Sequence, residues 1–399
     1  MLVLVANLGS TSFKYKLFDM SSNECVLAEG TADRIGQGNS AWSMVPTGGT
    51  KFTGTTDLPD HGAAIELHLG ELMKAGVIHA IADVNAVGFK AVHGGPICGA
   101  VKVDDAVLDT MQQFADVTPL HNPPYIAAMK AFRQRLPSVP QVAAFETGFH
   151  QTIPLKRQAY AIPHEWTEKL GIRRYGFHGA SHRYIAARMA ELSPTAKRII
   201  SLHLGGSCSV CAIEDGQSVA NSFGMTTQTG IPHAARCGDF DAFAMMKLLK
   251  QGLDLDTIWK KLGKESGLLG MAGSQDMRDV ETKAAAGDAR AKLAVDVFVE
   301  ACRHYTGAYL AVLGGADAIV FTAGIGQNGA AIRSAILHNM QYAGIELDPA
   351  KNVSAKGNFE ARLDAPTSRV QIWMLPTNEE LIVARQTVAV LTSNPPCNN

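Results

Sequence analysis

A set of polar side chains stands at the ends of predicted strands and on glycine-rich turns: Asn7, His93, His121, Glu146, His178, Arg236, Asp276, Arg278 and Glu379. Cations, carboxylates and histidines on such loops suit phosphoryl transfer. There the protein chiefly positions groups, and cationic residues with Mg2+ neutralise spread negative charge. At the centre of the set lies Arg173-Arg174-Tyr175-Gly176-Phe177-His178-Gly179-Ala180-Ser181-His182-Arg183-Tyr184. Ser181 reads as the N-cap of a helix running to about Leu192, with Ile185, Ala186, Met189 and Leu192 on one face. That places His178 on a tight loop just ahead of a helix N-terminus, where backbone N–H groups can receive an anion. Taken alone, a histidine there reads as a buried, bonded core residue; its company points to the anion. His182, four residues on, invites a metal reading, but packing or bonding on the helix fits it better.

Two hairpins would position this chemistry. An apolar first strand leads into Asn7-Leu8-Gly9-Ser10-Thr11-Ser12 and returns as Phe13-Lys14-Tyr15-Lys16-Leu17-Phe18. Half a chain later, Ile199-Ile200-Ser201-Leu202-His203-Leu204-Gly205-Gly206-Ser207 repeats the pattern and returns through Cys208 to Ile213. Small, hydroxyl-rich turns let backbone N–H groups and hydroxyls approach a phosphate or a hydrated metal. Ser10, Ser12 and Lys14 on the first hairpin, and His203, Gly205, Gly206 and Ser207 on the second, are the candidate phosphate contacts. The repeat suggests a duplicated domain with one phosphate-facing hairpin in each half.

Between and after the hairpins the pattern is α/β. Helices are predicted over 61–74, 104–115 and 126–136, the last preceded by a rigid turn, Thr118-Pro119-Leu120-His121-Asn122-Pro123-Pro124. Glu146 ends a short buried strand, the position where α/β folds place chemistry. A long loop is expected over 222–238, a glycine-rich loop over 266–278, and one long helix over 284–313. Gly324 to Gly329 matches G-x-G-x-x-G after a strand and before a helix reaching about Ala343. Literally read, that is a dinucleotide fingerprint, but no run of βαβ units is expected around it, and such a turn equally cradles an adenine, ribose or phosphate in a kinase. A last helix follows Pro376-Thr377-Asn378-Glu379-Glu380 to about Leu391, and the chain from Asn394 reads as a loose tail.

Composition narrows the classes. With 399 residues the chain has room for a large core, and a formal net charge of −1 gives no electrostatic case for nucleic acid or an anionic membrane. No run of about 18 apolar residues occurs, and the apolar start lacks the features of a signal peptide. The 7 cysteines are scattered and odd in number, as expected of reduced thiols in a cytoplasmic protein. Cys208 and Cys211 form C-x-x-C without a second ligand pair, on what reads as a strand. No P-loop, protein-kinase set or G-x-S-x-G elbow is present.

The chain resembles the acetate kinase family of the sugar kinase/Hsp70/actin superfamily over nearly its whole length. The resemblance rests on Asn7 to Lys14, Val92-His93-Gly94-Gly95, Pro119 to Pro124, Phe149-His150-Gln151-Thr152, Arg173 to Tyr184, Arg236-Cys237-Gly238-Asp239, Ser266 to Gly270, Phe321 to Gly326 and Pro376 to Leu381. It implies two duplicated RNase H-like domains, 1–148 with 382–399 and 149–381, with an interdomain nucleotide cleft. It further implies reversible transfer of the ATP γ-phosphoryl group to a short-chain carboxylate, in a homodimer joined through the second domain. By the same resemblance His178 stabilises the transferring group, Arg236 holds carboxylate and phosphoryl oxygens, and His121 assists. Asn7, Glu146 and Glu379 surround Mg2+, for which Mn2+ could substitute. Lys90, Val92, Leu120 and Phe177 belong to the acid's site. Gly324, Ile325, Gly326 and Asn328 lie on the adenosine side, with Asp276 and Arg278 nearby.

Several positions depart from that pattern. Lys90 stands where the family has arginine, which loses a bidentate fork. Glu146 stands for aspartate, and Pro96 and Gln327 each replace a glutamate. The second hairpin reads Gly205-Gly206-Ser207-Cys208-Ser209 in place of G-N-G-A-S, and Thr227 occupies a proline position. The expected acid is acetate, with propionate as the nearest alternative. A nucleotide-binding regulatory paralogue that has lost turnover is the reading from a different class.

Overall fold

A computed structural model describes residues 1–21, 23–119 and 121–393. Leu120 and the tail from Asn394 lie outside the described residues. The chain divides into two compact units, Met1–Gln151 with the stretch from Asn378 onward, and Thr152–Thr377.

The first unit begins with β1 (Leu2–Leu8), β2 (Ser12–Asp19), β3 (Cys25–Asp33), β4 (Ser40–Pro46), β5 (Phe52–Thr56), α1 (His61–Lys74), β6 (Val84–Ala91), β7 (Ala100–Lys102), α2 (Asp105–Gln113), α3 (Asn122–Arg135) and β8 (Gln141–Phe145). The second holds α4 (Leu155–Gln158), α5 (His164–Leu170), α6 (Gly179–Leu192), β9 (Arg198–Leu204), β10 (Cys208–Glu214), β11 (Gln217–Asn221), α7 (Ala244–Lys250), α8 (Leu255–Lys264), α9 (Gly267–Ala272), α10 (Met277–Ala285) and α11 (Ala289–Leu313). It continues through β12 (Ala318–Thr322), α12 (Ala323–Asn328), α13 (Ala330–Leu337), α14 (Pro349–Ser354), β13 (Ala361–Arg362) and β14 (Gln371–Met374). The chain then returns to the first unit as α15 (Glu379–Thr392).

The sheets are ordered β5-β4-β3-β2-β1-β6-β8-β7 and β11-β10-β9-β12-β14-β13. In both, an antiparallel meander meets a parallel trio, β1-β6-β8 or β9-β12-β14, and an antiparallel edge strand closes the far side. The duplicated design suggested by the two hairpins, RNase H-like by the family resemblance, is therefore present, with β4 and β5 added at the meander edge of the first sheet.

Period-two alternation explains how each sheet fills two cores. On β1, Leu4, Ala6 and Leu8 enter one core with Ile65 and Leu69 of α1 and Phe132 of α3. Val3 and Val5 enter the other with Val383 and Ala384 of α15. Burying each such aliphatic side chain contributes roughly 1.5–3 kcal/mol. A Cβ at Gly88 on β6 would lie 2.4 Å from Thr387 Oγ1 and 3.0 Å from Val383 Cγ1, so glycine lets α15 lie this close to the sheet. On β9 and β10, Ile200, Leu202, Leu204, Cys208, Val210 and Ala212 share a core with Phe298 and Cys302 of α11. The alternate residues Ser201, His203 and Ser209 face the other side of that sheet.

The structure corrects several local expectations. Pro123 and Pro124 do not hold a turn ahead of α3; they sit in its first turn, where a missing N–H costs no intrahelical bond. The 266–278 stretch is not a loop but α9 and the start of α10. Gly267 at φ +60° and Gly273 at φ +71° punctuate α9. The long helix over 284–313 is broken at Gly287, φ +95°, and restarts under the Asp288 cap. The glycines of 324–329 lie mostly within α12, and α13 stops at Leu337 instead of near Ala343. A parallel trio does surround that segment, contrary to expectation. What departs from a dinucleotide turn is that Gly324 and Gly326 are inside a helix. Among the described residues no helix is long and apolar enough to cross a membrane, and six described cysteines are free thiols.

Candidate active site

In the first unit, Lys90 on β6, Glu146 after β8 and Glu379 at the start of α15 form an ion cluster. The Lys90 ammonium is 3.8 Å from a Glu146 carboxylate oxygen and pairs more closely with Glu379; the three side chains are 19%, 6% and 14% exposed. Burial works against the ammonium, but Glu379 and then Glu146 outweigh it and hold Lys90 above the usual lysine range. Strand register brings Asn7 to the same end of the sheet, one residue beyond the Ala6–Phe89 pair. The Tyr125 hydroxyl donates to Asn7 Oδ1 at 3.2 Å and receives the Leu8 backbone N–H at 3.1 Å. Burial pushes that phenol up to about 12. Tyr125 was not among the expected residues, although its place just after Pro123-Pro124 marks it as a side chain of the first helical turn.

His93 and His121 lie between Lys90 and Glu146 in sequence but have different settings. His93 is buried, stacks on Phe114 at 4.8 Å, and receives the Gly95 N–H on Nδ1 at 3.0 Å. His121 is the N-cap residue of α3 and makes no side-chain cap. Val92 is half-buried against the first unit's core. Ser10 and Lys14 are exposed at the first hairpin, where the Gly9 N–H closes the turn on the Ser12 carbonyl at 2.9 Å. Asn7 and Lys14 also line a groove of about 370 Å³ with Lys16, Thr31, Ser43 and Lys51.

Around His178 the second unit's site is built of imidazoles, hydroxyls and aromatic rings. His178, not Ser181, is the cap residue of α6, in the left-handed conformation at φ 58°. That conformation is uncommon outside glycine and is held here by contacts on several sides. Nδ1 of His178 lies 2.8 Å from Ser209 Oγ. The ring stacks on His203 at 4.1 Å and meets Phe223 edge-on at 5.2 Å. Ser181 is turned away from the helix cap: its hydroxyl is 2.8 Å from His203 Nδ1. His182 bonds Ser201 and Ser209 at 2.9 and 2.8 Å, as expected of a packed, bonded histidine. Phe177 is fully buried against Phe223.

Arg236 donates to the Thr227 carbonyl, which ties it to the divergent loop. Burial lowers its guanidinium below the ordinary arginine value. Nearby His233, also not foreseen, receives the Cys208 N–H on Nδ1 at 2.9 Å, and burial followed by the Arg236 charge keeps it neutral. The second hairpin and the glycine segment do come together. Thr322 is in register with His203, and a Cβ at Gly205 would be 3.5 Å from that of Ala323. The Gly205 N–H closes that turn on Ser207 O at 3.2 Å. Asn328 closes α12 on the Gly324 carbonyl at 2.8 Å, and buried Arg333 donates to the Gly326 and Gln327 carbonyls. Ile325 packs partly against the second unit's core. Asp276 and Arg278 instead pair with each other at the exposed start of α10. Cys208 and Cys211 are buried on β10, and burial raises both thiols to about 12, leaving them unreactive.

Comparison with known proteins gives one consistent result. The Acetokinase family matches residues 2–385. The acetate kinase of Dictyoglomus turgidum is 44% identical over 399 residues, covering 98% of each chain. The structure is similar to Porphyromonas gingivalis acetate kinase, with a TM-score of 0.91 and 36% identity over 98% of this chain and 100% of that one. It is also similar to a propionate kinase from Francisella tularensis, with a TM-score of 0.90 and 32% identity over 98% and 99%. The chain belongs to the acetokinase family.

Proposed function

We infer that the protein transfers the γ-phosphoryl group of ATP reversibly to acetate, giving acetyl phosphate and ADP. The observation that carries this reading is family membership across almost the full length, alongside relatives named acetate kinase. In the forward direction a carboxylate oxygen attacks the γ-phosphorus in line, the bond to the β-bridging oxygen breaks, and ADP takes the electron pair. No proton need move, so the protein's task is to position and to neutralise.

His178 serves as a hydrogen-bond donor to the transferring group, and Arg236 as the charged fork for its oxygens and the acid's. His121 assists, while Val92, Phe177 and Leu120 shape the alkyl end of the acid's site. The hairpin residues Ser10, Ser12, Lys14, His203, Gly205, Gly206 and Ser207 address phosphates. The adenosine side falls to Gly324, Ile325, Gly326 and Asn328, with Asp276 and Arg278. Asn7, Glu146 and Glu379 offer the hard oxygen donors that suit Mg2+ held through few protein ligands and its own waters. The two carboxylates already bracket a cation, the Lys90 ammonium, so their charge is set for one. When bound, the metal neutralises charge on the phosphate oxygens.

A cytoplasmic homodimer joined through the second unit completes the reading. Exposed apolar side chains there, Phe243, Met246, Leu255, Trp259 and Leu293 on or beside α7, α8 and α11, support a covered face. Sedimentation at micromolar concentration tests it, and a monomer would end it. Propionate is the second acid, favoured by the propionate kinase likeness and by Thr227, whose carbonyl holds Arg236. The deciding experiment is a hydroxamate assay on short acids with ATP, GTP or pyrophosphate. Acetate with ATP is expected to give the highest kcat/KM. Nucleotide binding without acyl phosphate from any acid would sink the enzyme reading.

A further inference from the structure

Four side chains in the second unit form a line of hydrogen bonds: Ser201 Oγ to His182 Nδ1 at 2.9 Å, His182 Nε2 to Ser209 Oγ at 2.8 Å, and Ser209 Oγ to His178 Nδ1 at 2.8 Å. The line is a product of two periodicities. Ser201 and Ser209 are on the face of β9 and β10 turned from α11, and His178 and His182 stand four residues apart at the start of α6. Ser201, Ser209 and His182 are all 0% exposed.

Such a line can run in either of two directions, and its buried end selects one. A hydroxyl has one proton and two lone pairs. Among the described residues, the Ser201 hydroxyl bonds only His182. If His182 donated to Ser201, the Ser201 proton would be buried without an acceptor, which is costly; an unused hydroxyl lone pair is the lesser loss. Ser201 therefore donates to His182 Nδ1. Neutral His182 then carries its proton on Nε2 and donates it to Ser209. Ser209, whose oxygen among the described residues meets only the two rings, has its own proton left for His178 Nδ1. We propose that Ser201, His182 and Ser209 are positioning residues that fix His178 as the Nε2–H tautomer, so that a neutral ring presents a donor to an anionic group.

The stacked neighbour follows the same rule. Ser181 is 0% exposed and its hydroxyl meets His203 Nδ1, which leaves the His203 proton on Nε2. Two cations at the 4.1 Å separation of these rings would repel, so a mechanism needing only neutral rings suits the pair. The catalytic meaning of the tautomer rests on the acyl phosphate reading above; the tautomer itself does not.

The test is nitrogen-15 NMR of histidine-labelled full-length protein at about pH 8, where ordinary histidines are neutral, with His178 assigned by its loss in His178→Gln. The expected spectrum has a bare Nδ1 and a protonated Nε2. Ser209→Ala should release the ring to a mixture of tautomers and lower kcat about tenfold with little change in KM, the loss of one directed hydrogen bond. Ser201→Ala, which does not touch His178, should move both readouts the same way by a smaller factor. If Ser209→Ala does not fold, Ser201→Ala carries the test. A protonated Nδ1 in the wild type overturns the proposal, as does a tautomer unchanged in both variants. If no acyl phosphate is made, the spectra still decide the tautomer while the function above fails separately.

Discussion

Topologically matched ends of the two sheets carry opposite kinds of polarity. In the first unit, the strand ends around β1 and β6 present Asn7 and Lys90, with Glu146 and Glu379 closing an ionic cluster. In the second, the matching ends of β9 and β12 present His203 and Thr322, and the neighbours are Ser181, Ser209, His178 and His182. One framework thus holds net charge in one copy and directed neutral hydrogen bonds in the other. Charge is suited to gathering cations and phosphates; neutral donors cost little to bury and can be aimed.

The sharpest break of this contrast is His178→Ala. Turnover should fall roughly 10²–10³-fold, as for the loss of one transition-state donor, while nucleotide affinity measured by titration stays nearly unchanged. Equal losses in both would remove the neutral site from the chemistry. Next is Lys90→Met, which leaves two carboxylates facing one another. A loss of about 3 kcal/mol in denaturant unfolding is expected. Because the lysine is held above its unfolded value, its contribution is complete below about pH 10.4 and fades only as pH rises past the folded value. In the variant the facing carboxylates repel and one holds a proton more readily, so the gap between variant and wild type should narrow as pH falls.

Acid cuts across the comparison, since each unit also buries a neutral histidine. His68 in the first is 1% exposed and is held down to about 4 by burial. A base with a lowered folded pKa is stabilising above the unfolded value, near 6.5, and that stability is lost as pH falls toward the folded value. The cost should reach about 3 kcal/mol by pH 4, and His68→Leu should flatten that part of the stability curve. The smallest expected effect comes from Lys90→Arg with Glu146→Asp, a several-fold rise in acetate turnover in the hydroxamate assay if the family's fork and shorter acid fit better. A fall would mean that the ionic cluster has been tuned around lysine and glutamate.

The two hairpins, the buried strands and the amphipathic helices were legible because period two and period 3.6 are written locally. Glycine was the main source of error. Gly267 opens α9, Gly273 closes it, and Gly324 and Gly326 lie within α12, whereas sequence reading made loops of these stretches; at Gly287 it ran one helix through a break. The cap of α6 was misplaced because Ser181 has a long-range partner, His203, that no local rule reveals. Ser201 and Ser209 looked like ordinary strand serines; a polar residue recurring on one face of otherwise apolar strands was the available signal. Tyr125 was hidden by the assumption that two prolines exclude a helix.

Glycine 88 lets α15 settle on β6, and α15 brings Glu379 with it. The ribosome makes that helix only after all of Thr152–Thr377. Throughout that interval Val3, Val5, Phe18, Ala86 and Ala144 lack Val383 and Ala384, their partners in the native core. The unit begun before Thr152–Thr377 is thus completed only after it, with an apolar sheet face exposed to premature association in the meantime. Lys90 meanwhile lacks one of its carboxylates, so the ionic site can form only once Glu379 has been made.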